Sequence, residues 1–177
     1  MKRAGLALLA LAGWCAAAGA AEKTGPGPGP GPTAAAVQTA RGVEDPRAFV
    51  VQTYAAYQRN PNGPEWPAFA YSRRLRALFD GYEQWAAGHD DLVGSLDFDW
   101  WVNAQDWLLT DVRVTERRQG TNRRTVTARF TNAGRPDEVR FLFVREGGRW
   151  YLDDAIEGTG SGDGGWTLSA LLRERAE

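Results

Sequence analysis

The sequence predicts an α+β domain: two N-terminal helices packed on a curved antiparallel sheet of three to four strands, then a short C-terminal helix. Three observations predict it. Apolar residues recur at helical spacing between residues 46 and 86. They alternate with polar ones from residue 112 onward, and the alternating runs are separated by short turn signals. Short turns join antiparallel neighbours, because a parallel crossover needs a dozen residues or more.

The first 21 residues read as a secretory signal peptide. Lys2 and Arg3 are its positive start, residues 6–14 its apolar run, and Ala18-Gly19-Ala20 a cleavage site of small residues. The apolar run is shorter than the ~20 residues a bilayer span needs. Cys15 follows Trp14, where a lipobox wants a small residue, so lipid anchoring through Cys15 is not expected and the Cys leaves with the signal. The mature chain then has no thiol for a disulfide or a Cys-based zinc site. Residues 22–43 form a flexible linker: Gly-Pro repeats four times in 25–32, and such a run supports neither helix nor sheet. Residues 44–177 are the single α+β domain, long enough for one good core.

Within it, Asp45 is a cap and Pro46 a first helical residue, with Phe49, Val50, Tyr54 and Tyr57 along one stripe. The run 60–64, Asn-Pro-Asn-Gly-Pro, ends that helix. A second begins at Ser72, carries the stripe Leu75, Leu78, Phe79, Tyr82 and Trp85, and stops at Gly88. Arg73, Arg74 and Arg76 lie off the stripe, either as a solvated face or as a patch for an anion or acidic partner. Strands are expected around Val112 and Val114, around Val126, Ala128 and Phe130, around Val139, Phe141 and Phe143, and around Trp150, Leu152 and Ile156. Gly147-Gly148 makes the tight turn before the last. Residues 166–175 close the chain as a helix capped by Thr167.

Between helices and strands lies 96–106, LDFDWWVNAQD, where acids, amides and tryptophans are crowded together. As an extended segment it would place Asp97, Asp99, Trp101, Asn103 and Gln105 on one side and Phe98, Trp100, Val102 and Ala104 on the other. Two readings stand. One is a ligand pocket with aromatic walls and a few polar groups. The other is a helix-to-sheet joint whose side chains satisfy loose backbone groups. The candidate ligand-binding or cavity-lining residues are Tyr54, Tyr57, Asp99, Trp101, Asn103, Gln105 and Asp106. Asp106, if buried, must accept hydrogen bonds from N–H groups or Arg.

The order of helix, helix, polar-aromatic joint and antiparallel strands resembles the cone-shaped, nuclear-transport-factor-like (cystatin-like) fold. More closely, the chain resembles the exported bacterial family called domain of unknown function 3828. Asp97-Phe98-Asp99 followed by Asn103-Ala104-Gln105-Asp106 carries this resemblance. So do residues 148–156, GRWYLDDAI, the first-helix groups Phe49-Val50-Val51 and Tyr54-Ala55-Ala56-Tyr57, and the closing Leu168-Ser169-Ala170-Leu171-Leu172. It implies a fold and an envelope address, periplasmic or secreted, and no activity. Folds of this kind include proton-transfer enzymes with an Asp base beside a Tyr, which here would be Asp106 or Asp99 with Tyr54 or Tyr57.

Other chemistry finds little footing. The whole chain carries 21 Lys and Arg against 22 Asp and Glu; setting aside Lys2 and Arg3 leaves 19 against 22, a net charge near −3. That mild acidity gives no general attraction to nucleic acid or anionic membrane. No cofactor is expected. Residues 160–165 match G-x-G-x-x-G, but antiparallel strands and the few residues that follow leave no room for a dinucleotide unit. No metal is expected either: the calcium-loop spacing is absent at Asp97 and Asp99, where Val102 holds the sixth position, and adjacent Asp153 and Asp154 should point to opposite faces of a strand. His89, the single His, sits in a polar loop with Asp90 and Asp91.

The expected function is therefore a non-catalytic binding or interaction domain of the bacterial cell envelope, with an unknown small molecule or envelope protein as partner. No nucleic acid and no transmembrane helix in the mature chain are expected. The alternatives are a small-molecule proton-transfer enzyme (isomerase or dehydratase type) and an immunity or inhibitor protein acting through a loop such as 89–95.

Overall fold

The computed structural model describes residues 41–89, 94–158 and 165–174. The expected signal peptide, most of the linker, residues 90–93 and most of the glycine-rich run 160–165 lie outside the described residues. The fold is α+β; the described residues form three α-helices and one open antiparallel sheet of four strands.

Helix α1 spans Pro46–Arg59. Asp45 caps it by accepting from the Ala48 N–H at 3.0 Å, and Pro46 occupies the first turn, where its missing N–H costs nothing. A 3-10 turn at Ala68–Ala70 leads to α2, Arg73–Ala86, where the Ser72 hydroxyl accepts from Leu75 N–H at 3.0 Å. Strands β1 (Leu109–Gln119), β2 (Arg123–Asn132), β3 (Arg135–Glu146) and β4 (Arg149–Glu157) follow as a meander in that spatial order. The β3–β4 hairpin turns on Gly147 and Gly148, both at positive φ, the geometry whose twist matches the flanking strands. The β2–β3 hairpin does the same with Ala133 and Gly134, so Ala133 bears a left-handed strain that Gly134 does not.

One sheet face carries the alternating apolar residues: Val126, Ala128 and Phe130 on β2, and Val139, Phe141 and Phe143 on β3, all buried. Val50, Tyr54 and Tyr57 of α1, with Leu75 and Phe79 of α2, belong to the same core. The Tyr54 ring sits 5.3 Å from Phe130 and 6.2 Å from Phe141.

Four expectations need correction. The linker boundary at Val43 lies too late. Gly42 donates its N–H to Phe69 carbonyl, and buried Val43 exchanges two backbone bonds with Trp150 at 2.7 and 3.0 Å. An apolar residue here serves to cover the free edge of β4. Tyr71 at Leu152 and Thr167 at Ile156 cover that edge further along.

The run 96–106 is not an extended segment. Asp99 and Ala104 exchange backbone bonds at 3.0 and 3.3 Å, closing a loop, and Asn103 takes φ 52°. Strand alternation fails inside a closed loop, so Trp100, Trp101 and Val102, three in a row, are all fully buried.

In β4 the register slips between the pairs Leu142–Asp154 and Phe143–Leu152, leaving Asp153 as an extra residue, a β-bulge. Beyond it, Ala155 takes the inward position, and Ile156 stands half-buried opposite Arg140.

The C-terminal helix α3 is one turn, Leu168–Leu171, without a side-chain cap bond from Thr167, whose backbone pairs instead with Ile156. The cap comes from β4: Asp154 Oδ1 accepts from the Ser169 N–H at 2.9 Å.

Candidate functional site

The seven candidate residues separate into an interior knot and a surface pocket. Tyr54, Tyr57 and Trp101 are buried and Asp99 half-buried; Asn103 is half-buried, while Gln105 and Asp106 are exposed.

The knot forms because the 99–104 loop delivers its polar backbone to the side of α1. Tyr54 donates its hydroxyl to the Trp101 carbonyl at 2.5 Å, and Tyr57 donates to Asp99 Oδ2 at 2.6 Å. The other carboxylate oxygen of Asp99 accepts from the Trp101 N–H at 2.9 Å. Burial holds the Asp99 carboxyl above its ordinary range, against the lowering effect of Tyr57, the Trp101 N–H and Trp66. Burial also raises Tyr57 far above a free phenol, and the Asp99 charge adds to it. Tyr54 is raised by burial first, then by the charges of Asp137 and Asp99. Both phenols are therefore fixed as donors. Both Asp99 oxygens are occupied by the loop and α1, so the carboxylate holds the joint together. The space around it is filled: Trp101 lies 4.4 Å from Phe141 and 5.0 Å from Trp100, ring centre to ring centre.

A pH prediction follows. A carboxyl whose folded pKa is raised binds its proton more tightly folded than unfolded. Its contribution is complete below the unfolded value and is lost as pH rises through the folded one. The stability advantage of wild type over Asp99→Asn should thus be largest near about pH 3 and shrink toward neutrality. Urea titrations at several pH values read this, and an advantage that grows with pH would reverse the assignment. Asp137, raised chiefly by burial, has the same sign but is present in both proteins and cancels.

The surface pocket has a volume of about 450 Å³ and is lined by Asn103, Asp106, Asn132, Arg135, Asp137 and Glu157, among others. Asn103 is held at both ends. Its amide nitrogen donates to Asp137 at 3.1 Å, and its oxygen accepts from the Trp166 indole at 2.6 Å. Asn132 accepts from Leu108 N–H at 2.8 Å and donates to the Asp106 carbonyl at 3.3 Å. Gln105 lies outside the lining and donates to the Asp97 carbonyl at 3.2 Å. Three carboxylates and one guanidinium thus share the lining. Among the described residues no three His, Cys, Asp or Glu side chains converge as a metal ion requires.

Sequence reasoning missed Asn132, Arg135, Asp137 and Glu157. The turn between the strands expected around Phe130 and Val139 carries no local sign that this hairpin returns beside Asn103. It also missed a second cluster. The bulge turns both Asp153 and Asp154 toward Arg74, which reaches them at 3.0 and 3.3 Å, while Ser72 donates to Asp153 at 2.6 Å. The expectation that the two acids point apart fails because a bulge breaks the period of two. Arg74 is therefore no plain solvated residue, and Asp153 and Asp154 hold its proton more tightly than usual. Arg76 donates to the Ala68 carbonyl, and Arg73, 90% exposed at its side chain, reaches Glu146 at 3.4 Å. His89 stacks on Trp85 at 5.0 Å and bonds its carbonyl at 2.7 Å; its sequence neighbours Asp90 and Asp91 lie outside the described residues.

Comparison with protein-family models, curated proteins and solved structures finds no match to this chain.

Proposed function

We propose that the chain is an exported, non-catalytic binding domain of the bacterial cell envelope, with the cone-shaped, nuclear-transport-factor-like arrangement and the family kinship that its motifs resemble. Its ligand seat is the pocket between the 99–104 loop and the β2–β3 hairpin. The observation that carries this reading is the lining: Asp106, Asp137 and Glu157 against Arg135, with the Asn103 and Asn132 amides between them. An acid-rich, amide-bearing pocket suits a small polar molecule that carries a protonated amine beside hydroxyl groups. Support against the proton-transfer alternative comes from Asp99, whose oxygens already accept from Tyr57 and from the Trp101 N–H.

The test is thermal-shift titration with glucosamine as probe and glucose as the uncharged control. Wild type should gain several degrees from glucosamine and little from glucose. Asp106→Asn should fold with an unchanged Tm, since Asp106 is exposed, and should lose the response. Equal responses from wild type and variant, or none from wild type, would remove the pocket from consideration as an amine site.

A further inference from the structure

The chain's mild net acidity conceals a sorting of charge. The sheet face opposite the core carries Arg113 and Arg117 on β1, Arg123 and Arg129 on β2, and Arg140 on β3, all exposed. Register fixes this face. Residues 113, 115 and 117 pair with 129, 127 and 125, and the alternate residues 126, 128 and 130 are the buried ones. Two acids share these positions, both on β3: Glu138, held between Arg129 at 2.6 Å and Arg140 at 3.6 Å, and Glu146 at the strand end, which Arg73 reaches at 3.4 Å. Arg113, Arg117 and Arg123 make no ion pair among the described residues. Arg113 stands directly opposite Arg129, a like-charge cross-strand pair that works against the sheet. Thr115, Thr125 and Thr127 fill the positions between the arginines and add hydroxyl donors.

We propose that this face is a docking surface for an anionic phospholipid membrane. Five arginines against two glutamates are complementary to a layer of phosphate headgroups, and guanidinium forks bind phosphate oxygens in pairs. The patch spreads over roughly 20 by 10 Å of sheet, from strand rise and spacing. It is a broad face rather than a cleft, so it meets an extended charged surface better than a single small anion. No helix among the described residues is long and apolar enough to cross a membrane, so the contact is peripheral. The face is separate from the acid-lined pocket, and neither reading depends on the other.

The experiment is co-sedimentation of the full-length chain with vesicles of phosphatidylcholine alone and of phosphatidylcholine mixed with phosphatidylglycerol. The readout is the ratio of the two partition coefficients, which removes the contribution of the apolar N-terminal run. Wild type should favour the anionic vesicles strongly at low salt and lose the preference in high salt. Each arginine is worth about fivefold at such a surface, so the triple variant Arg113→Gln, Arg117→Gln, Arg123→Gln should cut the ratio about a hundredfold. Its circular dichroism and Tm should match or exceed wild type, because charge repulsion is relieved. Arg59→Gln, at the end of α1 on the core side of the sheet, should leave the ratio unchanged. Equal partition into both vesicle types, or a wild-type ratio in the triple variant, would overturn the proposal. So would binding to soluble polyglutamate without binding to vesicles, which would put an acidic protein in the membrane's place.

Discussion

Trp101→Ala lowers the unfolding free energy by about 3–5 kcal/mol, the range for emptying a large buried aromatic site. Its ring is wholly inaccessible and lies within 6.3 Å, centre to centre, of Phe49, Tyr54, Trp100 and Phe141. Those neighbours come from α1, the loop and β3, so no single element can collapse to refill the space. The backbone bonds at this position, from the Tyr54 hydroxyl and to Asp99, survive the substitution. The loss is therefore one of packing. Trp101→Phe sharpens the point. It keeps most of the apolar volume and breaks no side-chain hydrogen bond made among the described residues, so it should cost less than half as much. Urea unfolding followed by circular dichroism reads both. A Trp101→Ala cost below about 1 kcal/mol would mean that the ring lines open space instead of filling the core.

How far the sequence could be read depended on whether an interaction was local. The α+β class was legible because a period of two is written directly into 126–130 and 139–143, and the turn at Gly147-Gly148 needs only its own residues. The 96–106 run was legible as a joint but not in its geometry. Its composition announces polar groups among tryptophans, yet the alternation drawn from it assumes an extended chain. The bond pair between Asp99 and Ala104 removes that assumption. Residues counted as one side of a strand then part company: Trp101 goes into the core, Asn103 into the pocket wall, and Gln105 out to solvent. Asp106 is exposed, so it needs no buried hydrogen-bond donors. The pocket was half legible for the same reason. Asn103 and Asp106 lie in the crowded run, but Asp137 and Arg135 arrive with a hairpin about thirty residues on, and only tertiary structure sets them opposite. The arginine face was written in the sequence, as Arg113, Arg117, Arg123, Arg129 and Arg140 at outward positions of three consecutive strands. Net charge, a sum over the whole chain, averages it away.

Asp154→Ala should be the most damaging substitution at a charged position among the described residues, at about 2–5 kcal/mol. Asp154 is 8% exposed and sits just past the bulge. One oxygen accepts from Ala155 N–H at 3.0 Å and from Ser169 N–H at 2.9 Å; the other faces Arg74 at 3.3 Å. Alanine leaves two buried amides without that acceptor, each costing about 1–3 kcal/mol, and it removes the cap on α3. Arg74→Met separates the terms. The guanidinium is partly exposed, so its ion pairs with Asp153 and Asp154 should be worth about 1 kcal/mol or less. Hydrogen exchange localises the effect: in Asp154→Ala the Ser169 amide should lose protection, and in Arg74→Met it should keep it. If Arg74→Met costs as much as Asp154→Ala, the ion pair rather than the capping bond holds α3 to the sheet. If neither variant moves the unfolding midpoint, α3 is held by burial of Leu168 and Leu172 alone. The capping bond is favoured beforehand because it joins two groups withdrawn from water, whereas the guanidinium keeps access to solvent and gains less from its partners.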